Sequence, residues 1–438
     1  MGLVCGIDIG STNLKVLLLD DEGRTRWVKS VATPRLHDDL GVLTDATGLV
    51  AALEGLIIEG WVSVGGGKPL SAIATTGIGE DGVGVDDALK PLGHALAWFD
   101  KRSAAEAHEL SQSDEARNLP AIKLDFCATA GKWRWLRRHR STDLDGAKCW
   151  ITITDYPLAV WSGEPFISET LAVRTGCFDV FTRRWIDPLL QLSQAPPLPR
   201  ILKAGQTVGT MRSGALQGAG VVSPSTLIVA GGHDHPLASS AIRRVRANAR
   251  VDSLGTANAT YGETENPKRI TAELGLDVSV PVMGGPGVSC FGVIEFSVAL
   301  RAAIPDDKKL RTLLSAASIP GALSQKQTGN TDEEKLRAAL EATALRARKF
   351  FRAMEHCGVE HGPLFATGGW ARSAALMELR ASMFGEPVTV IDEPELTALG
   401  AALFAAEAAW GTAPNFARHH ELTTILPRKD WAEAYARF

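Results

Sequence analysis

No CxxC pair occurs in the chain, neither charge sign is in marked excess, and no basic flank leads into a long apolar stretch. The six cysteines, Cys5, Cys127, Cys149, Cys177, Cys290 and Cys357, are scattered, several of them in apolar runs. They read as reduced, buried thiols rather than as a disulfide framework. A formal net charge of -4 offers nothing to a polyanion, so nucleic acid is not expected as a partner. The first apolar run carries Asp8 almost at once, which indicates neither a secretory signal nor a spanning helix. The expectation is a cytoplasmic protein with no membrane partner. What is present is ample: 438 residues suffice for two substantial domains, and 45% hydrophobic with 22% charged residues is ordinary for a globular protein. Eleven tryptophans is a high count, and Trp61, Trp98, Trp133, Trp135, Trp150, Trp161 and Trp185 all lie in the first half. Most belong in a core, while some suit the face of a sugar ring.

The stretch "LVCGIDIGSTNLKVLLLDDEG", Leu3 to Gly23, sets an acid and then Gly, Ser and Thr between two β-prone runs. Leu3 to Ile9 and Leu14 to Leu19 read as strands returning side by side, with Asp8 near the mouth of the hairpin and Gly10, Ser11 and Thr12 at its tip. Such a tip offers backbone N–H groups and hydroxyls to an anion, and the nearby carboxylate suits a cation.

Further along, strand-like and helical runs alternate, which is α/β material. Leu49 to Val62 has helical spacing, Leu70 to Thr76 reads as a strand, Gly77 to Gly84 as a loop, and Ser103 to Ser111, Trp133 to His139 and Tyr156 to Trp161 as helices. In "TLIVAGGHDHPLASSAIRR" a strand runs into Gly231 and Gly232, with a helix following Pro236 close to Asp234. "ARVDSLGTANATYGET" repeats the opening logic around Gly255 and Thr256, again giving backbone donors and a hydroxyl. The seam between domains is placed at Ala247 to Arg250. Asp332 to Met354 reads as a long helix, Pro363 to Thr367 as a buried strand before Gly368 and Gly369, and Ser373 to Met383 as a helix. "PELTALGAALFAAEAAW" is a helix whose Ala and Gly content predicts close approach to neighbouring backbone, and a peripheral tail is expected beyond Trp410. No sequence repeat is obvious, although the two Gly-Thr hairpins hint at two similar halves. A single such turn is only a turn; two of them together with Asp8 and Asp234 point to a ligand.

The ordered series "GIDIGSTNLK", "AWFDKR", "ATAGKWRWL", "TDYPLAVWSG", "GGHDH", "DSLGTAN", "ATGGWARS" and "EPELTALGAALFA" resembles the FGGY family of carbohydrate kinases, within the actin-like and sugar kinase ATPase superfamily, over most of the chain. The resemblance implies an α/β fold of two ribonuclease H-like domains facing a central cleft. Residues 1–247 would form the sugar-binding and catalytic domain and 248–438 a shortened nucleotide-binding domain. It implies ATP-dependent phosphorylation of a hydroxyl of a ketose or sugar alcohol, with ATP and Mg²⁺ as cofactors and a small sugar or polyol as partner; a homodimer is left open. Asp234 matches the catalytic base, since a carboxylate near the attacking oxygen orients it and takes its proton. Asp8 is assigned to Mg²⁺ through water. Gly10, Ser11, Thr12 and Lys15 match the first phosphate hairpin, Gly255, Thr256 and Asn258 the second, and Gly368, Gly369 and Ser373 the adenosine-side loop, where Trp370 stands in place of a small residue and either stacks on adenine or leans away. Glu395 is either a helix-start cap or a ligand contact.

On the acceptor side the resemblance assigns Glu80, Asp81, Trp98, Asp100, Arg102 and His235 to substrate, with Arg102 either contacting it or bracing Asp100. His233 and His235 flank the base; a metal reading of the pair lacks further ligands, and the pair shapes the pocket or holds Asp234, shifting its pKa in a direction sequence does not reveal. Two departures stand out. The P-x-L-x-G-E-R-x-P stretch of the family is absent before Asp332, replaced by part helix and part polar loop, and "GIGEDG" fits neither the xylulose-type nor the glycerol-type loop. Substrate identity therefore does not transfer. Two other readings stay open: a binding protein of the same fold without turnover, and an actin-like or chaperone-type ATPase, which leaves the W-x-D-x-R match unexplained.

Overall fold

The computed structural model describes residues 2–117, 119, 121–255, 257–268, 270, 274–316 and 331–436. The chain divides into two compact units, one of Met1–Ala241, Ser279–Pro286 and Thr397–His419, the other of Ile242–Val278, Gly287–Leu396 and His420–Phe438.

The first unit is built on a six-stranded sheet. Strands β1 (Leu3–Ile9), β2 (Asn13–Asp20) and β3 (Thr25–Ala32) form an antiparallel meander. Helix α1 (Ala46–Ser63), begun by the Asp45 side chain accepting the Thr47 N–H, packs on β2 and β3 through Leu49, Leu53, Leu56 and Ile57. By length and composition α1 would span a bilayer; its apolar stripe lies in this core instead. Strand β4 (Ala72–Gly77) runs parallel to β1, and Gly82–Val85, expected as loop, forms β5, antiparallel to a strand at Cys149–Thr152. The glycines there masked a four-residue strand whose every position is buried. Helix α2 (Thr129–His139), strand β6 (Cys149–Thr152), helix α3 (Glu169–Arg174) and strand β7 (Thr207–Thr210) lead to β8 (Leu227–His233), parallel to β4. Helix α4 (Asp234–Val245) then begins at Asp234 itself, two residues before Pro236, since proline is tolerated in a first turn where its missing N–H has no partner to lose.

The second unit repeats the plan in a seven-stranded sheet. Strands β9 (Arg250–Leu254) and β10 (Asn258–Thr264) form the second hairpin; β11 (Asp277–Ser279) and β12 (Val288–Ile294) extend it, with β12 antiparallel to β10. The long helix α5 (Asp332–His356) starts in a full capping box between Thr331 and Glu334. Strand β13 (Leu364–Thr367) lies parallel to β9, helix α6 (Ala374–Phe384) follows, and β14 (Val388–Ile391) lies parallel to β13. The order β3-β2-β1-β4-β8 of the first sheet and β12-β10-β9-β13-β14 of the second share one pattern of two antiparallel and two parallel pairings, so the hint of similar halves holds at the level of topology.

Helix α7 (Leu396–Trp410) approaches backbone closely, as its small residues predict: a Cβ on Gly400 would lie 2.3 Å from the Leu237 carbonyl oxygen, and one on Gly6 2.1 Å from that of Ala398. The expected peripheral tail is corrected. Strand β15 (Leu422–Ile425) pairs with β14, and helix α8 (Lys429–Tyr435) buries Trp431 and Tyr435 completely. The Trp431 ring takes the guanidinium groups of Arg337 and Arg428 at 4.7 and 4.4 Å. The 317–330 part of the polar loop that replaces the missing family stretch lies outside the described residues.

Candidate active site

Three adjacent parallel strands of the first unit end side by side. Asp8 on β1 pairs with Thr76 on β4, which pairs in turn with Gly232 on β8, and Gly77 with His233. Asp8, the β4 exit with Glu80 and Asp81, and Asp234 thus emerge at one carboxyl edge, where open α/β sheets place their ligands. Gly232, at φ +151°, is required there, because a Cβ would lie 2.1 Å from the Thr170 hydroxyl that accepts the His233 N–H.

The first hairpin closes by Gly10 N–H donating to the Asn13 carbonyl at 3.0 Å, leaving Ser11 half-buried and Thr12 exposed at the tip. The Thr33 hydroxyl donates to the Gly10 carbonyl at 2.7 Å, and Arg35 donates twice to the Ser11 carbonyl, at 3.2 and 2.8 Å. Lys15 faces Asp8 in register, its ammonium 3.9 Å from the carboxylate. The Thr76 hydroxyl, on the strand beside Asp8, is buried without a hydrogen-bond partner among the described residues. A carboxylate beside a spare hydroxyl fits Mg²⁺, which takes one or two carboxylates and keeps several waters beside phosphates. Among the described residues no group of three or more His, Cys, Asp or Glu forms a protein cage, and the His233–His235 pair builds none.

Among the residues that the resemblance assigns to the acceptor, Glu80 is 6% exposed and its Oε1 accepts from Arg174 Nε at 2.7 Å. Burial raises its pKa, but Arg174, His233 and Lys132 outweigh that and hold it below the usual glutamate value. Asp81 is fully buried, 3.5 Å from the Lys132 ammonium and 3.4 Å from Arg35, and burial pushes its carboxyl up despite both cations. The Lys132 ammonium also donates to the Glu80 and Leu96 carbonyls, both at 3.1 Å. Trp98 is half-buried and its indole N–H donates to the Ser11 hydroxyl at 2.7 Å, tying the W-x-D-x-R segment to the first hairpin.

Asp100 and Arg102 close on each other. Asp100 accepts from Arg102 Nε at 3.0 Å and Nη2 at 2.7 Å and from the Val42 N–H at 3.0 Å, while Arg102 forks onto Asp38 with two bonds of 2.8 Å. Of the two roles left open for Arg102, the geometry is that of a brace.

Asp234 opens α4, its side chain 30% exposed. Its Oδ1 accepts the His235 N–H at 2.6 Å and lies 3.3 Å from His233 Nε2 and 3.8 Å from His235 Nδ1, while Oδ2 has no hydrogen-bond partner among the described residues. Burial opposes its charge, but His235, His233, the His235 N–H and Arg174 prevail and hold it below the ordinary aspartate value. His233 itself is pushed down to about 4 by burial.

In the second unit, Gly255 N–H donates to the Ala257 carbonyl at 3.0 Å; Thr256 lies outside the described residues. Asn258 is fully buried and committed: its amide donates to Asp252 at 2.6 Å and to the Ser253 carbonyl at 3.1 Å and accepts from Arg380 at 2.9 Å. Gly368, at φ +92°, admits no Cβ, which would meet the Leu254 carbonyl oxygen at 2.5 Å, and Gly369 is open to solvent. Ser373 caps α6, and Trp370 leans edge-on to Phe296 with ring centroids 6.0 Å apart. Ahead of α7 the Glu393 carboxylate accepts the Glu395 N–H at 2.8 Å.

Sequence reasoning missed Arg35, Asp38, Lys132, Arg174 and Glu393. Only Lys132 carried a signal: it falls three residues after Thr129 and four before Leu136, on the buried face of α2.

Residues 3–240 match the N-terminal domain and residues 295–409 the C-terminal domain of the FGGY family of carbohydrate kinases. The chain is 26% identical to L-fuculokinase of Escherichia coli strain K12, over 76% of this chain and 77% of that one. It is 23% identical to gluconokinase of Bacillus subtilis strain 168, over 91% and 86%. The crystal structure of gluconate kinase from Lactobacillus acidophilus superposes with a TM-score of 0.87 at 16% identity, covering 100% of this chain and 96% of that one, which shows a shared fold. With both domain profiles matched in order along most of its length, the chain belongs to the FGGY family of carbohydrate kinases.

Proposed function

We propose that this carbohydrate kinase transfers the γ-phosphoryl group of ATP, as its Mg²⁺ complex, to a hydroxyl of a ketose or sugar alcohol, with Asp234 as general base. The observation that carries this reading is the common strand edge: Asp8 with the Ser11–Thr12 tip, Glu80, and Asp234 leave three adjacent strands of one sheet. Its pKa held low, Asp234 is ionised at neutral pH, and Oδ2 is the oxygen left for an incoming hydroxyl. As the acceptor oxygen bonds to the γ-phosphorus, its proton passes to Asp234 and the bond to the bridging oxygen of ADP breaks. Lys15, the backbone N–H groups of the hairpin tip and the Ser11 and Thr12 hydroxyls hold the phosphates by charge and hydrogen bonds. Asp8, with Thr76 beside it, would hold Mg²⁺, which supplies charge neutralisation and orientation at the phosphate oxygens.

Glu80, acceptor-only when ionised, takes hydroxyl donors from the substrate, while Asp81, Asp100 and Arg102 hold the walls and Trp98 ties them to the hairpin. Gly255, Gly368 and Gly369 let nucleotide approach backbone, with Asn258 and Ser373 bracing those turns. The relatives carry names as different as fuculokinase and gluconokinase, so the acceptor is to be found by assay. The test is coupled ADP release with Mg-ATP across a panel of ketoses, aldoses and polyols. Release that rises with one polyhydroxylated compound is expected; basal hydrolysis unchanged across the panel contradicts the reading.

A further inference from the structure

Gly79, between β4 and Glu80, has no side chain, and a second residue fills the space. A Cβ at Gly79 would lie 2.4 Å from Arg174 Cγ and 3.2 Å from His233 Cδ2, so the stem of Arg174, arriving from the end of α3, runs through the volume a residue 79 side chain would need. Its guanidinium reaches past to Glu80, donating from Nε at 2.7 Å and pairing through Nη2 as well. Arg174 is 15% exposed and Glu80 8% by side chain, so this is a largely desolvated fork that fixes a carboxylate rather than a surface ion pair.

We propose that Arg174 is a further positioning residue of the acceptor site, which aims the Glu80 carboxylate at substrate hydroxyls and serves as its counter-cation. The inference rests on the reading of Glu80 as an acceptor-side ligand. Two carboxylates serving one small ligand repel, and without compensation one of them takes up a proton and stops accepting from a hydroxyl. Arg174 is one of the charges that lower the pKa of Glu80 and of Asp234 alike. The other groups around Glu80 are Lys132 from α2, His233 at the end of β8, the adjacent Asp81, and Cys127; around Asp234 they are His233 and His235. Lys132 donates to the Glu80 carbonyl rather than its carboxylate, and His233 is neutral at pH 7, so neither replaces the fork.

The experiment compares R174M, R174K and E80Q on the full chain, with the acceptor found by the panel. R174M is expected to raise the acceptor KM by about ten- to a hundredfold, the range for a lost charged hydrogen bond, with the KM for ATP held within about twofold. The acid limb of its kcat/KM profile moves to higher pH, because Glu80 loses its counter-cation; the direction follows from removing a group that lowers its pKa. R174K restores the acid limb but only part of the KM, since an ammonium keeps the charge and lacks the planar fork. A packing role alone would lower the melting temperature and leave the acid limb in place. An unshifted limb and unchanged acceptor KM in R174M, with KM raised in E80Q, overturns the inference while the Glu80 reading stands. An unchanged KM in E80Q overturns the Glu80 reading itself.

Discussion

Replacing Arg102 with leucine separates a brace from a ligand. The Arg102 side chain is 3% exposed and Asp100's is 2%, and the two are joined by bonds of 3.0 and 2.7 Å, with Asp38 held by a further pair of 2.8 Å. Removing the cation strands the Asp100 carboxylate with only the N–H groups of Val42 and Arg102, at 3.0 and 2.9 Å. Breaking a buried pair from one side costs about 3–5 kcal/mol. The guanidinium also lies over the Trp135 ring at 5.2 Å, worth roughly another 0.5–1 kcal/mol. In a unit of this size, that loss lowers the melting temperature by about 10 °C. Differential scanning calorimetry of R102L should show this drop, with the acceptor KM at a permissive temperature within a few-fold of the parent. R102L/D100N should recover part of the loss, since no lone buried charge remains. An R102L melting temperature within about 2 °C of the parent, together with a tenfold rise in acceptor KM, would make Arg102 a substrate ligand rather than a brace.

His233, held down to about 4 from an ordinary 6.5 by burial, makes stability depend on pH. The unfolded chain takes up a proton through that window and the folded one does not, so its contribution is whole above pH 6.5 and lost as pH falls to 4, about 3 kcal/mol in all. Urea midpoints at pH 4, 5 and 7 should fall less steeply toward acid in H233N than in the parent. W98F removes the N–H donated to Ser11, and we expect a KM for ATP raised up to about tenfold, the scale of one hydrogen bond, with the change seen in nucleotide titrations rather than acceptor titrations. W431A should cost about 3–5 kcal/mol by calorimetry, because the tail is core; a loss under 1 kcal/mol would return it to the periphery.

Local pattern made much of the fold legible. The apolar spacing of Leu49, Leu53, Leu56 and Ile57, the β-branched runs that stop at Gly10 and Gly255, and the Ala and Gly content of α7 each report their own neighbourhood, and the structure bears them out. The strands at Gly82–Val85 and Leu422–Ile425 were hidden for a different reason: each has four residues, one is disguised by glycine and the other lies at a sheet edge with mostly exposed side chains. The site shows the same division. Asp8 and the turns beside it are read from adjacent residues, whereas Arg35 reaches the Ser11 carbonyl across 24 positions, Lys132 reaches Asp81 across 51, Asp38 meets Arg102 across 64 and Arg174 meets Glu80 across 94, where no sequence periodicity links them. The pairing of Arg102 with Asp38, 64 residues away, shows the consequence, since the motif alone left both bracing and binding open.

The base role of Asp234 is tested most directly by the single-turnover rate of D234N with Mg-ATP and the acceptor found by the panel, alongside calorimetric binding of that acceptor to the same protein. Phosphoryl transfer is expected to slow by about 10²–10⁴-fold, the range for a lost general base, with acceptor binding kept within a few-fold. Turnover near that of the parent under the same saturating conditions would contradict the base role.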